Sequence, residues 1–599
     1  MTKKEIKEVY SNRAEEYNNQ LVKISEKSNI ISALRLVLFV LVSGLVIYFA
    51  TTNVNLIIYT LFLGLILFVI LVKQHEKLHQ KRKFVESLKR INREEINYLN
   101  NNWTGFEDGN RFLKKKSLHA RDLDLFGENS LFQKINRTVT ISGSGRLAHW
   151  FRYPKQHPEE IISHQEAISE LSTELDFRQE FRAIGLLATE DSSDYKRLVR
   201  WMKEKSWVNS TKHFKIALKI IPILNIGLTL ASIFHFTPWS LTGISILLTL
   251  AYLVPFQKKI TKSYILLSKR AFILMKYVDL LRLFEQKKFK CETLNILQNE
   301  MTEDGKTAFE HISELAHILQ KLDQRLNMIM GIILNIYLLW DLRMLSKVEI
   351  WKEKNLTEMI IWFNNIGIVD AFCSLSNLRY NEPSWIFPEI SNEVLLDAQQ
   401  LRHPLMADEL CVPNDIKIER NPHFKIITGA NMAGKSTWLR TVGSNMVLAM
   451  SGSVVSAKSF KLTPAHIATS LHTSDSLMKN ESYFYSELLR LQEIIQLLQK
   501  GDLAFILLDE ILKGTNSGDK EAGSIALLKQ LIDLKAYGLI ATHDLNLAKI
   551  SVLQKQFTEN LRFEADIIDD KLYFDYKIKP GVAQNFNATY LMRKMGITV

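Results

Sequence analysis

The residues best suited to chemistry gather in the last third of the chain. Gly429, Ala430, Asn431, Met432, Ala433, Gly434, Lys435 and Ser436 fit the spacing GxxxxGK[ST], and Thr437 follows at once. In such a loop, backbone N–H groups at a helix start surround phosphate oxygens, a lysine neutralises the β- and γ-phosphates, and a hydroxyl reaches Mg²⁺. Lys435 and Ser436 take those two parts, with ATP and Mg²⁺ as the expected ligands. Further along, the run AFILLDE ends on Asp509 and Glu510. Asp509 suits the Mg²⁺ shell, and Glu510 suits orienting or deprotonating the attacking water, because in-line phosphoryl transfer needs a positioned nucleophile. His543, just after GLIAT, is placed to donate to the γ-phosphate or to that water. An Asp-Glu pair alone is more often an ordinary helix start, and a lone histidine a surface residue. The phosphate loop upstream is what makes both candidates.

These residues need a scaffold that brings them to one edge. FKIIT (424–428), AFILL (504–508) and GLIAT (538–542) are short apolar runs separated by apolar-periodic stretches, which predicts a parallel sheet covered by helices. Ligands collect at the carboxyl ends of such strands. LRFEADI and KLYFDYKI flank Asp569-Asp570 and predict an antiparallel hairpin finishing the domain. Before this α/β P-loop domain, Ser263 to about Asn377 reads as a helical lever, Phe84 to Asn101 as a charged helix, and Leu123 to Leu171 as a compact soluble segment.

Composition narrows the alternatives. Lys and Arg number 76 against 64 Asp and Glu, a net charge of +12 over 599 residues, too even for a polybasic tail or an acidic solvating chain. At 47% hydrophobic and 23% charged the chain is a folded one, with room for about three or four domains. The 24 glycines and 12 prolines fall below average usage, which excludes collagen-like and linker-rich chains and favours long helices. Cys291, Cys373 and Cys411 lie far apart without CxxC spacing, so neither a disulfide framework nor a cysteine zinc site is supported, and a reducing compartment fits.

Two pairs of apolar runs point to a membrane. Ile31 to Ala50 and Val54 to Val72 each approach the roughly 20 residues needed to cross a bilayer, and the TTN between them is uncharged. Ile220 to Phe236 and Leu241 to Phe256 form a shorter pair around Thr237-Pro238-Trp239-Ser240. Lys23, Lys27, Lys73, Lys77, Lys81, Arg82 and Lys83 bracket the first pair; Lys212, Lys215, Lys219, Lys258, Lys259 and Lys262 bracket the second. Positive flanks on both predict hairpins whose ends face the cytoplasm in an inner, multi-pass location. The charged amino-terminal stretch does not read as a cleaved signal peptide. A fifth run, Leu326 to Trp340, is short and holds Asn327 and Asn335, so a buried core helix is the preferred reading there.

At this point a family resemblance becomes specific. GANMAGKSTWLRTVG resembles the phosphate loop of the MutS family of DNA mismatch-repair ATPases, and RHPLMADELCVPND (402–415), ESYFYSELLRL (481–491), LLDEILKGTNSGD (507–519), IATHDL (540–545) and LYFDYKIKPG (572–581) are similar to other segments of it. DLDLFGENSLFQKINRTVTISGSGRLAHWFRYP (122–154) is similar to the family's central core. The resemblance implies a MutS-like ATPase fold, hydrolysis of ATP, a homodimer, and binding of mismatched or structured DNA. It also implies that Glu481 and Ser482 belong to a loop reaching the partner's nucleotide, making the site composite. Tyr483 stands where the family usually has Thr, and Leu512-Lys513 replaces the customary Gly-Arg. A mismatch-reading domain with a Phe-x-Glu wedge is not visible.

The resulting division is an N-terminal helix and hairpin (1–105), a MutS-like core segment (106–210), the second hairpin (211–262), the lever (263–380) and the ATPase domain (381–599). Two functions compete. One is a membrane-anchored MutS-type ATPase acting on DNA in repair. The other is a membrane mechanochemical ATPase acting on a lipid, protein or transported partner.

Overall fold

The computed structural model describes residues 1–599 except 114–116, 189–199, 205–211, 304, 421–422, 431, 472–482, 513–516, 554–555, 569–570 and 585–599. Two long helices lead. Helix α1 (Lys3–Thr52) opens on a capping box: the Thr2 hydroxyl accepts from the Glu5 N–H, and the Glu5 carboxylate accepts from the Thr2 N–H at 3.0 Å. Asn53 has an extended backbone and its side chain accepts from the Asn55 N–H, ending α1 and starting α2 (Val54–Leu99). The two pack along each other as antiparallel rods, about 75 Å long for α1 at 1.5 Å per residue. The predicted apolar spans are therefore only the distal parts of much longer helices, with Phe39, Ile47 and Phe62 exposed.

The proximal ends of the rods are built into the body. On α1, the Tyr10 hydroxyl donates to Asn381 Oδ1 at 2.8 Å; on α2, the Tyr98 hydroxyl donates to Glu382 at 2.9 Å. Glu95, buried on α2, accepts from Arg137 and Arg182. The body packs α3 (Ile141–Arg152) and α4 (Leu175–Leu186) against later helices. Where α3 meets the 42-residue helix that runs from Trp340 to Asn381, glycine is required: a Cβ on Gly143 would lie 2.3 Å from Asp370, and one on Gly367 2.7 Å from Ser142.

The second hairpin is α5 (Lys212–Ile233) and α6 (Trp239–Leu253), followed by α7 (Gln257–Gln286). Ile223, Leu224, Leu247 and Leu248 give it an exposed apolar outer face. Its inner seam is polar: Asn225 donates to Thr249 Oγ1 at 2.9 Å, and Ser232 and Thr242 share a 2.8 Å hydrogen bond. These polar contacts tie the two apolar helices to each other.

The run Leu326 to Trp340 corrects the expectation of a buried core helix. It folds as α8 (Met328–Leu338), but Leu326, Ile329 and Ile332 are 71%, 73% and 53% exposed. The two asparagines have local jobs: Asn327 Oδ1 caps the Met330 N–H, and Asn335 Oδ1 accepts from the Asp341 N–H. Leu339, in the left-handed region, then turns the chain into α9 (Trp340–Asn381), the last helix of the segment expected as a lever. Among the described residues five helices are long and apolar enough to cross a membrane; α9 is one of them, and most of its apolar window is buried inside the protein.

The C-terminal part is the expected α/β domain. A small four-stranded sheet, in order β1 (Glu389–Ile390), β5 (Ser459–Leu462), β2 (Leu396–Leu401) and β3 (Asn414–Ile418), flanks a six-stranded one. The larger sheet holds β4 (Phe424–Thr428), β6 (His466–Ser470), β7 (Ala504–Asp509), β8 (Tyr537–Thr542), β9 (Thr558–Ile568) and β10 (Lys571–Pro580), in the order β10-β9-β4-β8-β7-β6. All neighbours are parallel except β9 with β10, the predicted hairpin. β4 and β7 are buried along their whole length, which explains their uninterrupted apolar runs.

Candidate functional site

The register of the sheet builds the site. β8 lies between β4 and β7, pairing Thr542 with Thr428 on one side and Ala541 with Asp509 on the other, so three strand ends finish together. From β4 the chain turns through the glycine loop into α10 (Lys435–Met450). Gly434 caps that helix at φ 101°, a conformation costly for other residues, and a Cβ there would press to 3.3 Å on the Tyr576 ring. Lys435 Nζ donates to the carbonyls of Gly429 (2.7 Å) and Ala430 (2.9 Å), which holds its charge over the mouth of the loop. The Ser436 hydroxyl donates to Asp509 Oδ2, so the residues expected to share a cation meet across two strands.

Glu510 follows at φ 49° and Leu512 at φ 59°. Left-handed backbone at such residues costs about 1–3 kcal/mol and persists only where neighbours fix it. Two do. The Glu510 N–H donates to Ala541 O at 2.9 Å, and the Leu512 N–H donates to Glu487 Oε1 at 2.6 Å. Glu487 is a buried carboxylate on α11 (Tyr483–Gln499). It is a positioning residue that sequence reading passed over, since a lone acid in ESYFYSELLRL looks like an ordinary helix surface. His543 Nδ1 lies 3.3 Å from Glu510 Oε1, so the proposed base and the histidine at the next strand end are partners.

Beside the phosphate loop lies a cavity of about 460 Å³, into which Lys435, Ser436, Thr437 and Glu510 all face. His403, Leu410, Val412, Phe563 and Tyr576 form its apolar wall. Its size and its mix of an apolar wall with a few convergent polar groups suit a small ligand. Burial holds the His403 imidazole down to about 4, with Arg440 and Lys134 adding to the effect, so the ring is neutral and its Nδ1 accepts from the Leu405 N–H at 3.2 Å. Residues 402–412 carried no chemical signal of their own in the sequence. Asn431, Glu481, Ser482 and Lys513 lie outside the described residues. Met432 is 84% exposed at the tip of the loop, and Ala433 is buried beneath it.

A glycine loop between a buried strand and a helix, with an acidic strand end two strands away, defines a P-loop nucleotide-binding domain. The profile of MutS domain V matches residues 425–596 and that of MutS domain III matches residues 113–403, so the two cover most of the chain. The protein belongs to the MutS family. It is 31% identical over 238 residues to the DNA mismatch repair protein MutS of Persephonella marina, a stretch covering 39% of this chain and 27% of that protein. With the DNA mismatch repair protein MutS of Aquifex pyrophilus it shares 34% over 223 residues, 37% of this chain and 26% of the other. The match thus spans about a quarter of the length of these relatives. The domain III match runs straight across the second hairpin and α8.

Proposed function

We propose that this protein is a membrane-anchored MutS-family ATPase that binds and hydrolyses Mg·ATP in a composite site of a homodimer and binds structured or mismatched DNA in repair. The observation that carries the ATPase reading is the meeting of Lys435, Ser436, Asp509, Glu510 and His543 at the joined ends of β4, β7 and β8. Hydroxyl and carboxylate oxygens are hard donors of the kind Mg²⁺ takes, so Ser436 and Asp509 fit as its holders. Mg²⁺ bound there would neutralise phosphate charge. Lys435 binds the β- and γ-phosphates, the α10 amides surround them, and the cavity wall around His403 and Tyr576 takes the base. Glu510, steadied by His543, accepts the proton of the attacking water.

Lys435→Ala removes a charge-assisted contact and should weaken ATP binding by about 1.5–3 kcal/mol, roughly ten- to a hundredfold. Titration of a fluorescent ATP analogue reads this directly; unchanged affinity would remove the loop from nucleotide binding.

Anchoring rests on four apolar helices in two hairpins with basic flanks, and the basic ends put the ATPase in the cytoplasm. Asn53→Cys and Thr237→Cys should react with an impermeant thiol reagent added to intact cells, and Ser517→Cys should not. Reaction at position 517 would reverse the topology.

A second reading, a mechanochemical ATPase without a DNA role, is favoured by one feature. Lys3 Nζ, at the start of α1, lies 2.6 Å from Glu382 and 3.0 Å from Asp408. Asp408 sits in the same segment as His403 and Leu410 of the cavity wall, and α1 runs unbroken from there to the apolar hairpin. A base entering the cavity would push on the foot of the rod. Turnover in vesicles, measured with and without DNA, separates the readings. Stimulation by DNA that falls steeply with salt supports the first, since phosphate contacts release counterions. Stimulation by lipid alone supports the second.

A further inference from the structure

We infer that α8 (Met328–Leu338) is a third membrane element, inserted from the cytoplasmic side into one leaflet against the second hairpin, with lipid acyl chains as its partner. The inference rests on the reading that this hairpin occupies a bilayer. Three observations carry it. First, both ends of the segment return to one place: the Trp340 indole N–H donates to Lys321 O at 2.9 Å, and Arg325 lies 3.7 Å from Asp341. A chain that leaves and re-enters at the same point cannot cross, and 11 residues give about 16 Å of helix, half of the roughly 30 Å hydrocarbon core.

Second, α8 is docked on the hairpin by a bond that makes sense away from water. Buried Asn225 on α5 donates to Ile336 O at 2.7 Å, and the Thr229 hydroxyl donates to Tyr337 at 3.4 Å. Ile336 is in the last turn of α8, where carbonyls lack a helical partner, so Asn225 supplies the donor that solvent would otherwise give. Third, the outer face of α8, with Ile329, Ile332 and Ile333, continues the exposed apolar face that Ile223, Leu247 and Leu248 present on the hairpin. Exposed Lys258, Lys259, Lys262 and Lys321 stand around the entry point, where anionic headgroups would lie. One continuous apolar surface with a cationic collar fits a lipid leaflet.

The test places an environment-sensitive fluorophore on Ile332→Cys, and separately on Leu247→Cys of the hairpin, in the full chain with Cys291, Cys373 and Cys411 replaced and ATP turnover verified. The protein is reconstituted in vesicles of phosphatidylcholine and phosphatidylglycerol. The expected result is loss of emission at both positions with nitroxide-labelled acyl chains and little loss with aqueous iodide. Quenching of Ile332→Cys by iodide, with Leu247→Cys quenched by lipid, overturns the inference and leaves the hairpin in the bilayer. Protection of Ile332→Cys from both quenchers also overturns it, pointing to a second copy of the chain as the cover. Labelling of Ile332→Cys by an impermeant reagent from the far side overturns it in favour of a full crossing. Iodide quenching at both positions removes the membrane reading of the hairpin itself, and the inference with it. Ile329→Cys, on the same face, replaces Ile332→Cys if that variant does not fold.

Discussion

Glu510→Gln should bind ATP as the parent does yet hydrolyse it about two to four orders of magnitude more slowly in a single turnover, the usual contribution of a positioned general base. That loss corresponds to about 2.7–5.4 kcal/mol of barrier. The geometry gives the reason for the split between binding and chemistry. Lys435 and Ser436 belong to the loop and α10, whereas Glu510 reaches the cavity from the end of β7, on a backbone held at φ 49° by the Ala541 carbonyl. Glutamine keeps the shape and the left-handed backbone but cannot take a proton. His543, 3.3 Å from Glu510 and half exposed, holds the carboxylate and is not buried in the phosphate cradle, so His543→Asn should cost less than Glu510→Gln. Quench-flow measurement with excess enzyme tests both; a single-turnover rate unchanged in Glu510→Gln would take this residue out of the mechanism.

What the sequence revealed depended on whether burial left a linear signature. β4, β7 and β8 are covered on both faces, so FKIIT, AFILL and GLIAT stand out as unbroken apolar runs, and the strand ends bring Ser436, Asp509, Glu510 and His543 together. The spacing of the glycine loop is local and was equally legible. The role of Glu487 was not, because a carboxylate that receives the Leu512 N–H from 25 residues away looks, in sequence, like any helical acid. The wall around His403 was hidden for the same reason: it is assembled from three distant segments. The rods were found only in part. Apolar composition marks the solvent around a helix and not its ends, so Ile31 to Ala50 was visible while the extension back to Lys3 was not, although Thr2 and Glu5 carry the capping-box pattern that marks it. The run at Leu326 is ambiguous in sequence because asparagines within an apolar stretch look like core polar groups, whereas Asn327 and Asn335 cap and turn a short exposed helix.

Glu95→Ala should release the foot of the rods. Glu95 accepts from Arg137 Nε at 2.7 Å, from Arg182 Nη1 at 2.9 Å and from Asn381 Nδ2 at 2.8 Å, so one carboxylate ties α2 to the core segment, to α4 and to the end of α9. Removing it leaves the buried Arg137 guanidinium without its counter-charge, while Arg182 keeps Glu94, a loss of about 3–5 kcal/mol, or more than a hundredfold in the opening equilibrium. Burial alone would raise the Glu95 carboxyl, but Arg137 and then Arg182 outweigh it and hold the group below the ordinary range. A lowered folded-state value means the contribution is complete above the unfolded value of about 4.3 and is lost as pH falls through the folded one. Limited proteolysis near residues 95–110 in detergent should therefore accelerate by more than about a hundredfold in Glu95→Ala at pH 7, where cleavage tracks the open population. The parent should show the same release only in acid, and the alanine variant should have no such acid step. Equal cleavage of the two at pH 7 would mean that the rods are held by the Lys3, Tyr10 and Tyr98 contacts instead.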